Sequence, residues 1–451
     1  MGNRLALHRM HRRSFLLGAV TGLLLPRLPK LPHARPRPSP AQLRYQRAER
    51  ALFLHFGVNT FTDREWGEGT EDPGIFNPTA LDANQWARAA RDAGFRSMIL
   101  TAKHHDGFCL WPSAVTDHSV RSSPFRGGRG DVVREFTDAC RAHGLGAGLY
   151  LSPWDRHEPS YGDSPRYNDF YIAQLTELLT RYGPITEVWF DGANGEGPNG
   201  RRQAYDWPRI HRTVRRLQPE AVIFSDAGPD VRWIGNEKGI AGDPNWCAVN
   251  PDAVPYPGVS GPAVGAMLQH GDPDGSVWRP GEADVSIRPG WFWHESENDK
   301  VRPVENLTDL YFQSVGRNAN LLLNVPPTRE GLLHEADVRT LAAFGKTLDG
   351  LFATDLAAGA RISKSSDALT LTLPRPVKLE VVDLREAIEH GQRVAGYRVE
   401  AWDGGQWTTI SRGTTIGHRK LDRVAPTVAN RVRLTITDAR GEPVMERVGL
   451  Y

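Results

Sequence analysis

An apolar run that ends in a single carboxylate begins at Val188. Trp189 and Phe190 continue the run, Asp191 ends it and Gly192 follows. A buried strand with this pattern delivers an acid to the carboxyl-terminal mouth of a parallel barrel, where catalytic groups collect. A carboxylate in that place can act as a nucleophile, whereas the alternative is an Asp that caps a turn or helix after the strand. Asp191 is therefore the first candidate for a catalytic residue.

Two adjacent histidines and an acid, His104, His105 and Asp106, invite a metal interpretation. Neighbouring residues of an extended segment point to opposite sides, and no His-x-His or His-Glu-x-x-His spacing occurs in the chain. We therefore expect no metal. No phosphate loop or dinucleotide fingerprint follows a predicted strand, so we expect no cofactor either. A metal-dependent hydrolase that uses His104, His105 and Asp191 stays as an alternative, which activity after prolonged chelation would exclude.

Five short segments place histidine, acid and aromatic residues along the chain. They are residues 54–59 (LHFGVN), 103–108 (KHHDGF), 187–193 (EVWFDGA), 232–237 (RWIGNE) and 314–318 (SVGRN). Together the segments resemble those of the retaining α-L-fucosidases of glycoside hydrolase family 29. The resemblance implies hydrolysis of α-L-fucosyl linkages by double displacement through a covalent fucosyl-enzyme, with Asp191 as the nucleophile.

Retaining hydrolysis needs a second carboxyl group, about 5 to 5.5 Å from the first, to protonate the leaving oxygen. Glu237 is the best candidate, because it lies in a loop-like, glycine-bounded segment where Trp233 would desolvate it and raise its pKa. The alternative is a solvated Glu237 paired with Lys238. Other carboxyl groups that could take the role are Glu65, Glu282 and Glu295. The Gly-Asn-Glu pattern of residues 235–237 resembles the branch of the family that prefers α-1,3 and α-1,4 linkages in branched glycans.

Recognition of a 6-deoxy sugar requires donors and acceptors for hydroxyl groups and an apolar surface under the C5 methyl group. The family resemblance implies this role for six residues, which are His55, Glu65, Trp66, His104, His105 and Trp189. The chain has His55-Phe56-Gly57 where the family usually has His-Trp-Gly, a replacement of one aromatic residue by another. Tyr150, Trp291 and Trp293 are further candidates for the pocket, with packing in the core as their alternative.

From residue 50 to residue 345, short apolar runs alternate with longer amphipathic stretches, which predicts a (β/α)8-like barrel over residues 41–350. The predicted helices span 81–93, 131–143 and 168–182. Asp residues provide caps for the first two. The predicted strands span 52–58, 97–102, 146–152, 187–190, 221–225 and 320–325.

After residue 360 apolar and polar residues alternate with period two, as in residues 368–373 and 431–436. Turns such as 403–405 separate these runs. This pattern predicts a C-terminal β-sandwich over residues 360–451. Its aromatic residues include Tyr397, Trp402 and Trp407. Packing against the barrel is a simpler role for this domain than carbohydrate binding.

The N-terminus predicts export. Arg12, Arg13 and the apolar residues through Leu25 have the twin-arginine pattern with a short apolar region, too short for a membrane helix of about 20 residues. Prolines interleaved with basic residues at 26–40 predict a disordered tether, so residues 1–40 form a signal peptide and tether without a stable membrane anchor. An extracellular or periplasmic location follows, and the cleavage site stays open.

Composition narrows the function classes. The 451 residues are 39% hydrophobic and 24% charged, with a net charge of +2, so the chain is globular and has no stripe typical of nucleic-acid binding outside the leader. Three cysteines give no disulfide framework, which fits a protein that folds before twin-arginine export. The expected partner is a fucosylated oligosaccharide or glycoconjugate, and the oligomeric state stays open. A catalytically silent fucose-binding protein is a second alternative, although both Asp191 and Glu237 are present.

Overall fold

The computed structural model describes residues 35–365 and 367–451. The twin-arginine pattern and most of the tether lie outside the described residues. At the described end of the tether, Arg35 donates from Nε to the Gln392 carbonyl at 3.1 Å and lies over the Trp246 ring, so this end packs on the folded chain. A capping box of Ser39 and Gln42 then opens the first helix. None of the described helices is both long and apolar enough to cross a membrane.

Eight parallel strands close into a barrel in the order β1-β10-β9-β6-β5-β4-β3-β2, and β1 pairs with both β10 and β2. The short strands β7 and β8 form a separate antiparallel pair. The predicted barrel is confirmed. The strands are β1 Arg50–Leu54, β2 Ser97–Lys103, β3 Gly146–Leu151, β4 Glu187–Trp189, β5 Val222–Ser225, β6 Val231–Trp233, β7 Ala248–Val249, β8 Val277–Trp278, β9 Gly281–Ser286 and β10 Ala319–Asn324.

The helices lie mainly between successive strands. The predicted caps are present: Asp82 accepts from the backbone of Asn84 and Gln85, and Asp131 accepts from that of Arg134. The helices are α1 Pro40–Ala48, α2 Val58–Thr62, α3 Ala83–Asp92, α4 Val132–Ala142, α5 Ser164–Arg181, α6 Trp207–Leu217, α7 Pro262–His270, α8 Val304–Gln313 and α9 Glu335–Leu351. Helix α5 begins four residues before the predicted start, because a proline fits its first turn.

The sequence does not predict two of the barrel strands, β6 and β9. Strand β6 has only three residues, and β9 carries acids at alternate positions, which hides its inward face. Partners inside the barrel satisfy both acids. Glu282 accepts from the Tyr45 hydroxyl at 2.7 Å and from Trp189 Nε1 at 2.9 Å, and Asp284 accepts from Trp233 Nε1 at 2.7 Å.

Aromatic rings and a carboxyl pair fill the barrel interior. Trp189 stacks on Phe224 with 4.2 Å between ring centroids, and Phe53 packs against Trp189 at 5.3 Å. Burial raises the pKa of Glu187 well above its ordinary value, and the adjacent Glu282 adds to the rise. Two buried carboxyl groups in contact favour sharing one proton.

Six antiparallel strands form the C-terminal domain, in the order β11-β12-β15-β13-β14 with β16 paired to β12. They are β11 Arg361–Lys364, β12 Ala368–Glu386, β13 Val394–Trp402, β14 Trp407–Gly413, β15 Lys420–Ala439 and β16 Met445–Leu450. The long strands β12 and β15 pair along most of their length across two register shifts, while β11 pairs with the first half of β12 and β16 with its second half. Their inward side chains form an apolar core separate from that of the barrel. The prediction of a barrel followed by a C-terminal β-sandwich is confirmed, as a closed parallel barrel followed by a separate antiparallel β domain.

Ion pairs join the two parts of the chain. Arg419 contacts Glu49 at 2.9 Å, and Arg423 contacts Asp309 at 2.5 Å. Glu49 and Asp309 belong to the barrel part of the chain, whereas Arg423 lies in β15 and Arg419 immediately precedes that strand. The seam between the two parts is therefore strongly charged.

A buried ion pair supports the loops at the carboxyl-terminal face of the barrel. Lys103, at the end of β2, donates to Asp155 at 2.8 Å and to Gln174 on α5 at 2.9 Å. The Asp155 carboxylate also accepts from the backbone amides of His157 and Glu158. Burial opposes ionisation of Asp155, but the Lys103 ammonium prevails and lowers the pKa of the acid. The pair ties the ends of β2 and β3 to the helix behind them.

Replacement of Asp155 tests this role. Asp155→Ala leaves the fully buried Lys103 ammonium without its counter-charge, and we expect the free energy of unfolding to fall by about 3–5 kcal/mol in urea denaturation. Adding Lys103→Met to that variant should restore part of the loss. As a control, Asp169→Ala on α5 breaks the exposed pair with Arg209 and should cost less than about 1 kcal/mol. Equal losses in the two single variants would contradict the assignment.

Candidate active site

Asp191 lies two residues beyond β4, at the carboxyl-terminal mouth of the barrel. Its Oδ1 accepts from the Ala193 amide at 2.7 Å, and its Oδ2 accepts from the Tyr150 hydroxyl on β3 at 3.1 Å. The side chain stays 27% exposed. Two donors therefore fix the carboxylate and stabilise its negative charge, while one side remains open to a ligand. The structure places Tyr150 directly at the site.

His105 follows β2 and lies beside the same carboxylate, with Nε2 3.8 Å from Asp191 Oδ2. Its Nδ1 is 2.7 Å from the Ser152 hydroxyl, which itself donates to the Trp154 carbonyl at 2.6 Å. Ser152 therefore accepts from His105, so the neutral ring carries its proton on Nδ1 and presents an Nε2 lone pair to the site. Burial lowers the pKa of His105, against the opposing effect of the Asp191 charge.

His55, after β1, is held in the same tautomer. The Asn324 amide donates to Ser286 and to the Trp291 carbonyl, so its oxygen faces His55 and accepts from Nδ1 at 2.9 Å. Burial lowers the pKa of His55 to about 4. The ring is therefore neutral near pH 7, with a free Nε2 acceptor.

His104 completes the group of histidines. Its ring lies 4.1 Å from that of His105 and 5.6 Å from that of His55. Burial lowers the pKa of His104 well below its ordinary value, and both neighbouring histidines add to the effect. Three neutral imidazoles around one carboxylate suit the recognition of hydroxyl groups. Among the described residues, no group of three His, Cys, Asp or Glu side chains is arranged to hold a metal ion.

Glu237 lies in the loop after β6. Its Oε2 accepts from Trp291 Nε1 at 3.3 Å. Burial raises the pKa of Glu237, and the charges of Asp191 and Glu65 add to the rise, although the Trp291 hydrogen bond opposes it. The tryptophan that contacts Glu237 is thus Trp291, whereas Trp233, which the sequence suggested, donates to Asp284 from inside the barrel.

The other carboxyl groups considered for the acid role have different surroundings. Glu282 is 1% exposed and hydrogen bonded inside the barrel. Glu295 lies in an exposed single turn. Glu65 reaches the mouth of the barrel, but it accepts from the backbone amides of Trp291 and Phe292 at 2.8 and 3.2 Å. Glu237 is therefore the carboxyl group in this set that combines access with a raised pKa.

A histidine links two acids behind this loop. His294 lies 2.8 Å from Asp63 through Nδ1 and 2.7 Å from Glu65 through Nε2. Burial works against a charge on the ring, but the hydrogen bonds to Glu65 and Asp63 prevail and raise the pKa of His294. The contacts of Glu65 with the loop, and of Trp291 with Glu237, connect this link to the site.

Of the tryptophans predicted for the pocket, two lie at the barrel mouth and two pack in the interior of the fold. Trp66 is 58% exposed and lies edge-on to His105 at 5.9 Å, so it stands at the rim. Trp291 lies 5.1 Å from His55. Trp189 lies in the barrel interior, stacked on Phe224. Trp293 is buried, donates to Asn298 and lies under Arg329, so its contacts are those of packing.

Two residues that sequence reasoning missed stand at the site. Phe292 packs edge-on against His104 at 5.0 Å and His55 at 5.5 Å, although its two tryptophan neighbours drew the prediction. Asp226 follows β5 directly and so carries the same signal that identified Asp191. Burial raises the pKa of Asp226 to about 6, and the charge of Asp191 adds to the rise.

Asp226 also anchors the long segment between β6 and β9. It accepts from the Gly258 amide at 2.7 Å. Gly258 has a φ of +86°, and a Cβ there would lie 2.4 Å from the Gly192 carbonyl, so only glycine allows this approach. The segment is thus pinned against the residue that follows Asp191.

Comparison with known proteins identifies the family of the chain. The family model described as alpha-L-fucosidase matches residues 42–239 and 260–350. Alpha-L-fucosidase 1 of Arabidopsis thaliana is 45% identical over 92% of this chain and 87% of its own length.

Solved structures give the same result. A Ruminococcus gnavus GH29 fucosidase in complex with fucose is 35% identical, with a TM-score of 0.84 over 94% of this chain and 96% of that one. A glycoside hydrolase 29 family member from an unknown rumen bacterium is 42% identical, with a TM-score of 0.87 over 93% of this chain and 77% of that one. The chain therefore belongs to the alpha-L-fucosidase family of glycoside hydrolases, GH29.

Proposed function

We propose that this α-L-fucosidase is exported and hydrolyses α-1,3- and α-1,4-linked fucose in branched glycans with retention of configuration. The observation that carries the mechanism is the pair formed by Asp191, fixed and open at the barrel mouth, and Glu237, an accessible acid with a raised pKa. Export is supported by the pattern at Arg12 and Arg13, and cell fractionation tests it.

The reaction follows from the two carboxyl groups. Asp191 attacks the anomeric carbon while Glu237 gives its proton to the departing oxygen, so the glycosidic bond breaks and a fucosyl ester forms. Glu237, now ionised, takes a proton from water, and the water oxygen displaces Asp191. Two inversions give net retention, and both acids return to their initial state.

Neutral histidines suit the binding of the sugar. His55 and His105 present Nε2 lone pairs that accept from hydroxyl groups, and neither ring places a positive charge beside the attacking carboxylate. Phe292 and Trp291 offer apolar surface beside His55 for the C5 methyl group. The exposed Trp66 at the rim offers a ring on which the rest of a glycan can stack.

The proposed linkage preference rests first on the resemblance of Gly235-Asn236-Glu237 to the α-1,3/1,4 branch of the family. It rests also on the segment that contains Gly258, which is held beside Gly192 and would contact the leaving group. We expect a Lewis-type trisaccharide to be cleaved with a higher kcat/KM than α-1,2- or α-1,6-fucosyl disaccharides, as measured by fucose release. A preference for either disaccharide would contradict the linkage and leave the fucosidase activity in place.

Asp191→Gly should reduce turnover of an aryl fucoside to below about 1% of the wild-type rate, because it removes the attacking group. Azide should restore part of the rate by entering the vacated space and should give β-fucosyl azide. The exposed variant Asp169→Ala serves as a control and should keep full activity. Proton NMR of the wild-type reaction should show α-L-fucose first, and β-L-fucose as the first product would rule out retention.

Glu237→Ala should slow the Lewis-type trisaccharide far more than an activated aryl fucoside, by roughly a hundredfold or more, because protonation matters most for a basic leaving group. The acid must be protonated to act, so its raised pKa keeps the wild-type enzyme active to higher pH, and the basic limb should flatten in the variant. If Glu65→Ala shows this leaving-group dependence instead, the acid role belongs to Glu65.

Trp291→Phe offers a matched control for the pH profile. It keeps an aromatic ring but removes the hydrogen bond that favours the ionised form of Glu237. The pKa of Glu237 should therefore rise further, and the basic limb should move to higher pH. An unchanged limb would mean that it reports another group.

A further inference from the structure

A cationic cavity lies at the amino-terminal face of the barrel, at the end opposite Asp191. Its volume is about 400 Å³, and barrel and C-terminal domain both contribute to its wall. We name it the arginine cavity, because six arginines line it. They are Arg47, Arg50 and Arg96 from the barrel side and Arg385, Arg419 and Arg447 from the β domain.

Carboxylates balance most of the β-domain arginines. Arg419 contacts Glu49 and Asp383, each at 2.9 Å. Asp383 also contacts Arg385 at 3.2 Å. Arg447 contacts Asp355 at 2.9 Å. Glu49 also contacts Arg385 at 3.4 Å, so Glu49 and Asp383 are each shared between two β-domain arginines.

The arginines on the barrel side have fewer carboxylate partners. Over residues 35–365 and 367–451, Arg50 and Arg96 have no carboxylate within 4.0 Å, and Arg47 reaches Glu389 only at 3.9 Å. Arg50 donates to the Ala93 carbonyl at 3.2 Å. The wall also contains Asp349, which forms no ion pair with these arginines.

A buried donor in the same wall is unsatisfied. Arg419 is 5% exposed, and its Nε has no hydrogen-bond partner among the described residues. A buried N–H of a charged group without an acceptor costs free energy that a bound ligand can recover. Arginines that line the cavity from the barrel side and from the β-domain side also repel one another. An anion bound between them would be attracted by both groups and would offset this repulsion.

We infer that the arginine cavity binds a small tetrahedral oxyanion of the phosphate or sulfate class, which bridges the barrel and the β domain. Guanidinium groups match such oxygens in geometry as well as in charge. The anion can be free in solution or carried by a sulfated sugar, and the chemistry of recognition is the same. The site is separate from the fucose pocket and does not depend on the proposed mechanism.

Titration calorimetry of the full chain with sodium phosphate and sodium sulfate tests the inference. Ionic strength is held constant with sodium chloride, and the anions stay at or below about 10 mM so that their general salting effect is small. We expect saturable binding and a rise in Tm of about 2–4 °C. Galactose 6-sulfate forms a parallel arm that separates a free anion from a sugar-borne one.

The variant Arg47→Ala/Arg96→Ala removes two exposed side chains of the wall and should abolish both signals, while turnover of an aryl fucoside stays unchanged. Arg88→Ala, which removes an exposed arginine on α3, should leave both signals as in the wild type. Binding in either arm that only the double variant loses supports the site. Absence of binding in all arms, or signals that the double variant retains, would overturn it.

Discussion

Carboxyl groups repel one another where water is excluded, and the barrel of this chain encloses several of them around and beneath Asp191. Burial raises the pKa of Asp284 well above its ordinary value and that of Asp226 to about 6. The same effect raises the pKa of Glu237. These groups can therefore hold protons at pH values where an exposed acid has lost its own. Two donors, Tyr150 and the Ala193 amide, point at the oxygens of Asp191, and its carboxylate keeps access to water.

The position of the Glu237 side chain depends on contacts with residues that are far apart in the chain. Glu237 contacts Trp291, whose backbone amide donates to Glu65. His294 ties Glu65 to Asp63. An acid from the loop after β6 is thus oriented by a segment after β9, which is itself held by a segment after β1. Glu65 therefore anchors the segment after β9, in addition to matching a sugar-contact motif of the family.

Sequence reasoning reached the site by two routes. Asp191 is predicted because an apolar run ends immediately before it, whereas His104 and His105 are predicted because they match a motif of the family. Strand β9 was missed because Glu282 and Asp284 face inward, where only the folded barrel supplies Tyr45, Trp189 and Trp233 as partners. These partners come from other elements, so no local pattern reveals them.

The same limit applies at the mouth. Trp233 adjoins Glu237 in sequence, but its indole donates to Asp284, and the indole that donates to Glu237 is that of Trp291. Phe292 was hidden between two tryptophans, and which of three consecutive aromatic side chains faces a pocket depends on the backbone direction of the loop. Asp226 carries the same signal of a strand-end acid as Asp191, but no motif of the family drew attention to it.

Burial exchanges the usual titration roles of histidine and carboxylic acid in this site. An exposed histidine gains its charge near pH 6.5 and an exposed aspartate loses its proton near pH 4. Here the pKa of His55 falls to about 4, whereas the pKa of Asp106, beside His104, rises to about 7 and that of Asp226 to about 6. Between pH 5 and pH 7 the His55 ring therefore stays mostly neutral, while Asp226 and Asp106 change their charge. The charge changes around Asp191 in that range belong to these carboxyl groups, and His55 keeps its Nε2 acceptor throughout it.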